Sequence, residues 1–180
     1  MLMSVSGVTS LKLVAFRSAT RLQQGRGGGL TGARGIKHQY HEQGPEDWLP
    51  GQSIPTRLGG SDLTVGITSL ACTKDGMRQF PFLDLSISKS VPTHDLVDAL
   101  KELGDWPFAL VETEASYHYY GFKTLSNKEW QDFMGRSLLL EWLTDIRWVG
   151  HMLIDGYACL RLVATPEKPW TPHVVASFRG

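Results

Sequence analysis

Beyond residue 62 the apolar positions of this chain switch between two periods, and each switch marks an element. Residues 63–73 are an almost continuous apolar and β-branched run, which predicts a strand, and Thr73-Lys74-Asp75-Gly76 has the chemistry of a hairpin turn. The run at 80–87 predicts the second strand of that hairpin. Over 93–103 the period becomes helical, with Leu96, Val97, Leu100 and Leu103 on one side, Pro92 before the start and Gly104 after the end. A strand is predicted over 108–120. Ser126-Asn127-Lys128-Glu129 is a capping box, and Trp130, Phe133, Met134, Leu138 and Leu139 carry a helix to about Glu141. A further helix is predicted from Asp145 to about Asp155, stopped by Gly156, then a strand over 157–164 and an edge strand near 173–178. The order β, β, α, β, α, α, β, β predicts an α+β domain with helices packed on a mixed or antiparallel sheet.

The part before residue 46 has a different character. From Met1 to His41 there are six Lys and Arg and no Asp or Glu, whereas from Ser61 onward fifteen acids face eleven bases, so the net charge of zero is a sum of unlike halves. Residues 26–35, RGGGLTGARG, read as a flexible loop that lacks the Gly-Lys-Ser/Thr ending of a phosphate loop. Gly44, Pro45, Pro50, Gly51 and Pro55 predict another loop over 44–55. The division is therefore a basic Gly/Arg-rich segment over 1–45, partly flexible, and one domain over 46–180.

Composition narrows the class. With 42% apolar and 20% charged residues the chain is an ordinary globular one. No stretch is long enough to span a bilayer, and Lys12 interrupts the one amino-terminal run that imitates a secretory core. Cys72 and Cys159 sit in apolar strands without metal-ligand spacing, so they read as core residues of a protein from a reducing compartment. The expected location is the cytoplasm, with no membrane partner. An organelle matrix is the alternative, since the acid-free start has the composition of a transit peptide.

Four polar residues at the ends of elements are the candidates for chemistry. Asp84 lies among Phe82, Leu83, Leu85 and Ile87, and a carboxylate in an apolar strand must be hydrogen-bonded, protonated or bound to a cation. His118 stands between tyrosines in SYHYY, where an imidazole can change charge near neutral pH. Asp145 can be a metal ligand or a helix cap, and Asp84 with Ser86 can instead face solvent as ordinary strand polars. Arg161, in YACLRL, either pairs with an acid such as Asp155 or Asp84 or presents its planar fork to a phosphate. His151 and Lys168 are weaker candidates, and Trp148 and Trp170 could stack on a base.

Taken in order, LDLS (83–86), SYH (116–118), TDIRW (144–148) and ACLRL (158–162) resemble the motifs of the archaeo-eukaryotic primase superfamily. The wording SYHYYG, FMGRSLLL and DIRWVGHMLIDGYACLRL is especially similar to bacterial primase 1D-like domains, over about residues 62–173. The resemblance implies a primase-polymerase fold and a nucleotidyltransferase active in DNA replication or repair. It would bind a nucleoside triphosphate, Mg²⁺ or Mn²⁺ and a single-stranded nucleic-acid template, alongside other replication or mobile-element proteins. In that reading Asp84 and Asp145 hold metal, Ser116, His118 and Arg161 bind the nucleotide, and Asp84, His118 and Asp145 are catalytic. The sequence departs from the family pattern at Ser86, where a second acid is expected. Glu112 or Asp155 could replace that acid; otherwise the domain is a weak or inactive relative that binds nucleotide or single strands without polymerising them.

Overall fold

The computed structural model describes residues 5, 7–16, 41–49, 64–164 and 169–179. Among the described residues there are two antiparallel sheets and three helices. The first sheet runs in the order β2 (His41–Trp48), β1 (Val8–Phe16), β3 (Thr64–Thr73) and β4 (Gly76–Gln79). Its fifth strand, β8 (Cys159–Arg161), joins the same edge of β3 as β4, pairing Gly66, Ile67 and Thr68 with Arg161, Leu160 and Cys159. The second sheet runs β5 (Phe82–Leu85), β7 (Tyr117–Gly121), β6 (Phe108–Glu112) and β9 (His173–Phe178).

The α+β class is therefore as expected, but the strands are cut differently. The predicted strand over 80–87 starts too late to be the hairpin partner of β3. That partner is β4, with Thr73 opposite Gly76 and Leu70 opposite Gln79. The chain then leaves the first sheet at Phe80-Pro81. Phe80 N–H still bonds Ser69, whereas Pro81 has no donor to continue the ladder, and its carbonyl receives Gly121 of the second sheet. The predicted strand over 108–120 is in fact a hairpin. Thr113 N–H bonds the Ser116 carbonyl and Thr113 Oγ1 accepts the Ser116 N–H, a turn closed by a side chain rather than by Gly or Asn. His118 consequently begins a returning strand instead of ending an outgoing one.

Of the loop predicted over 44–55, the part up to Trp48 is strand and Leu49 follows it. β2 crosses Gly44 and Pro45, tolerated because β2 is an edge strand and the register with β1 shifts between Leu13 and Ala15, opposite that dipeptide. Strand β1, from the basic amino-terminal side, pairs along most of β3. The glycine-rich run at 26–35, Pro50, Gly51, Pro55 and Lys168 lie outside the described residues.

The helices follow their predicted signals. α1 (Thr93–Lys101) buries Leu96 and Leu100. α2 (Asn127–Ser137) begins with both halves of the capping box formed: Ser126 Oγ accepts the Glu129 N–H, and Glu129 accepts the Ser126 N–H. It ends before Glu141, because Thr144 Oγ1 donates to the carbonyls of Ser137 and Leu140 and turns the chain there. α3 (Ile146–Asp155) stops at Gly156, whose φ of 78° is the left-handed conformation that glycine adopts without strain.

The core takes in residues of both sheets and of the helices, and one part of it packs on the Tyr119 face of the second sheet. Leu83, Leu85, Phe108, Leu110 and Tyr119 are fully buried or nearly so, as are Leu96, Leu100 and Phe133 from the helices. Tyr119 stacks on Phe133, and its hydroxyl accepts the Trp106 indole N–H at 2.8 Å. Cys159 is buried, as a core residue should be, whereas Cys72 is half-buried. Among the described residues no helix is long and apolar enough to cross a membrane.

Candidate functional site

Strand alternation places Phe82 and Asp84 of β5 on one face of the second sheet with His118 and Tyr120 of β7, which stand directly opposite Asp84 and Phe82. This is the face away from the Tyr119–Phe133 core. On its other edge β5 meets an extended segment: Leu85 bridges Thr144, the Asp145 N–H donates to the Asp84 carbonyl, and the Ser86 N–H donates to the Leu143 carbonyl. That antiparallel register makes Asp145 the cross-strand neighbour of Asp84. Burial agrees: Leu85 and Thr144 point inward at 2% exposure each, while Asp84 and Asp145 are both half-buried. One row across the sheet therefore reads Val111, His118, Asp84, Asp145.

Within this row His118 Nε2 is 3.8 Å from Asp84 Oδ1, with side-chain exposures of 8% and 35%. At this distance the two atoms are beyond hydrogen-bond reach of each other. On the other side of the ring, Nδ1 lies 3.4 Å from the Tyr120 hydroxyl. Burial pushes the Tyr120 phenol far above its ordinary range, with the Cys159 and Asp84 charges adding to the effect and Arg161 opposing it, so Tyr120 stays a neutral O–H.

Arg161 enters from β8 of the first sheet and is 7% exposed. Its Nη1 donates to the carbonyls of Val163 at 2.6 Å and Trp170 at 2.9 Å. Burial lowers its pKa, and the neighbouring Tyr120, Glu114 and Asp84 act in the opposite sense, so the guanidinium shares a field with the Asp84 face. Of the predicted residues, Asp84, His118 and Asp145 thus stand in one row of the second sheet, and Arg161 of the first sheet is near enough for the charge of Asp84 to act on it.

The other predicted residues have fixed local duties. Ser116 Oγ accepts the Ile87 N–H at 3.0 Å, anchoring the end of β5. Asp145 caps α3, its Oδ1 accepting the Trp148 N–H at 2.9 Å. Ser86 is exposed two residues from Asp84 on the same face. Neither substitute acid replaces it there. Glu112 is opposite Tyr117, one row away on the other face, and holds Lys89 at 2.8 Å. Asp155 ends α3, about 15 Å along the helix from Asp145. Trp148 is buried, which removes it as a stacking surface, whereas Trp170 is 44% exposed. Tyr120 and the Arg161–Trp170 tie were not singled out from the sequence. Tyr120 was accessible through period-two alternation from His118; the tie joins segments whose approach no local pattern encodes.

Two antiparallel sheets with helices packed on them form an α+β domain consistent with a primase-like fold, and its second sheet carries a histidine–acid–acid row. Residues 56–173 match the family model of the archaeo-eukaryotic primase 1D-like proteins, and the chain belongs to that family. No curated protein and no solved structure matches the chain.

Proposed function

We propose that this domain binds a nucleoside triphosphate together with one divalent cation on the His118–Asp84–Asp145 row, and acts on nucleic acid as a primase-type nucleotidyltransferase. The observation that carries the reading is the register: a buried histidine and a second acid flank Asp84 on its two sides. Family membership supplies the class of substrate.

The residues fit Mg²⁺ or Mn²⁺ in an open arrangement. Among the described residues no three His, Cys, Asp or Glu side chains form a group that could hold a metal ion, so the protein would supply two carboxylates at most. Mg²⁺ commonly takes one or two carboxylates and completes its shell with water and substrate phosphate. Asp84 and the Asp145 oxygen that does not cap α3 would hold the ion, which when bound neutralises phosphate charge. His118, positioned between Asp84 and Tyr120, donates an N–H to a phosphate oxygen. Arg161 contributes positive charge from the facing sheet, and its Nη1 holds the chain around Trp170 in place.

A second reading, binding without transfer, is favoured by Ser86, which leaves one acid where a two-ion site needs more, and by the capping duty of Asp145. Primer synthesis on a single-stranded template with labelled nucleotides separates the two. Product from the wild type that disappears in Asp84→Ala and His118→Ala supports transfer. Equal signals from all three remove it, and single-strand binding that is metal-independent and steeply salt-dependent supports the module.

A further inference from the structure

Beside the histidine–acid–acid row stands a buried tyrosine that the proposed chemistry does not use. Tyr120 lies two residues from His118 on the same face of β7, opposite Phe82. Its ring meets the fully buried Phe82 edge-on, with centroids 4.9 Å apart at 66°, and the residue is 7% exposed. The hydroxyl therefore has a fixed place, 3.4 Å from His118 Nδ1. A neutral imidazole carries its proton on one nitrogen and accepts on the other, and the partner of each nitrogen decides which. Burial raises the Tyr120 phenol far above its ordinary range and keeps it protonated. A buried O–H must donate, which makes Nδ1 the acceptor. At the other end of the ring, Asp84 Oδ1 lies 3.8 Å from Nε2. A carboxylate oxygen only accepts, so it favours an N–H facing it over a bare lone pair. Both ends select the same form, with the proton on Nε2.

We propose that Tyr120 is the positioning residue of His118: its hydroxyl holds the imidazole in the Nε2–H form and presents that N–H, beside Asp84, to a phosphate oxygen of the bound nucleotide. This inference rests on the nucleotide reading above and deepens it by giving the phosphate contact its atom. An imidazole that accepts at Nδ1 and is protonated at Nε2 has no lone pair to offer a cation, so His118 serves the phosphate and the cation is left to the carboxylates. The 3.4 Å separation is at the long end for such a bond, and hydrogen bonds in active sites commonly tighten as the substrate binds.

Imidazole nitrogen resonances of the isotope-labelled full chain, recorded at a pH where the ring is neutral and assigned with His118→Gln, test the form directly. The wild type is expected to show the proton on Nε2 and a hydrogen-bonded acceptor at Nδ1, and Tyr120→Phe to move the Nδ1 resonance to that of a bare acceptor. Calorimetry of ATP and of inorganic tripolyphosphate, each with Mn²⁺, tests its use, with thermal melts to confirm folding. Tyr120→Phe is expected to weaken both ligands equally, by about fivefold, the weight of one neutral hydrogen bond, and to add nothing in a His118→Ala background. A wild-type proton on Nδ1, His118 resonances that Tyr120→Phe leaves in place, or an effect on binding that persists without His118 overturns the positioning role and leaves the nucleotide reading standing. A wild type that binds neither ligand overturns the nucleotide reading, while the resonances still decide the form of the ring.

Discussion

His118 and Asp84 occupy directly opposite positions on β7 and β5, with Nε2 and Oδ1 3.8 Å apart, although 34 positions separate them in the chain. A buried imidazole beside a partly open carboxylate is an arrangement that a ligand can complete from the solvent side. Asp84→Asn keeps the shape and removes the charge. It is expected to lower Mn²⁺-dependent nucleotide affinity at least tenfold while costing about 1 kcal/mol of stability or less, because the carboxylate is partly exposed. Titration calorimetry and urea unfolding check the two effects separately.

Ser86 is exposed on the same face as Asp84, at the position where the sequence resemblance leads one to expect an acid. Ser86→Asp should therefore tighten Mn²⁺ binding and raise the melting temperature when Mn²⁺ is present, since a ligand that binds only the folded state stabilises it. A mutant melt that responds to Mn²⁺ no more than the wild type does would show that this face is not where the cation sits.

The elements of this fold that could be read from sequence were those with local signals. The capping box at Ser126 and Glu129, the αL stop at Gly156 and the cap at Asp145 each act within a few residues, and all three formed. The elements misread were those decided over distance. Phe80-Pro81 reads as part of one apolar run, but the chain changes sheets there because Ser69 and Gly121 claim its two ends. The turn at Thr113 is closed by a threonine hydroxyl, with no glycine to announce it. The candidate site was legible as a set of residue types in order. Its geometry was not, because the row exists only through the pairing of β5 with β7 and with the segment before α3.

Gln79 joins three parts of the molecule. Its side chain accepts from the buried Ser69 hydroxyl at 2.7 Å and donates to Asn127 Oδ1 and the Gly156 carbonyl at 2.9 and 3.0 Å, while Ser69 Oγ also accepts the Ala158 N–H. Gln79→Ala leaves several of these partners buried without a mate. A loss of about 2–4 kcal/mol is expected in urea unfolding, more than for truncating an exposed polar residue.

The capping box at α2 predicts a pH effect of known sign. Hydrogen bonds from Ser126, followed by the charges of Arg78 and Lys123, hold the Glu129 carboxyl below its ordinary value of 4.5. A carboxyl depressed in the folded state contributes stability above the unfolded value, and that contribution is lost as pH falls through the folded one. Glu129→Gln should therefore lower the melting temperature slightly at neutral pH and flatten its decline below about pH 4.5. Ser126→Ala should cost about 1 kcal/mol at neutral pH. Melts of the three proteins between pH 3 and 7 check both.

The His118–Asp84–Asp145 row is proposed as a nucleotide site that depends on a divalent cation. Its most direct test is calorimetric titration of ATP into the wild type, Asp84→Ala and His118→Ala, with Mn²⁺ and with chelator. Wild-type binding is expected to require Mn²⁺, to be abolished in Asp84→Ala and to weaken at least tenfold in His118→Ala. Binding that is equal in all three proteins, or indifferent to the chelator, would contradict it.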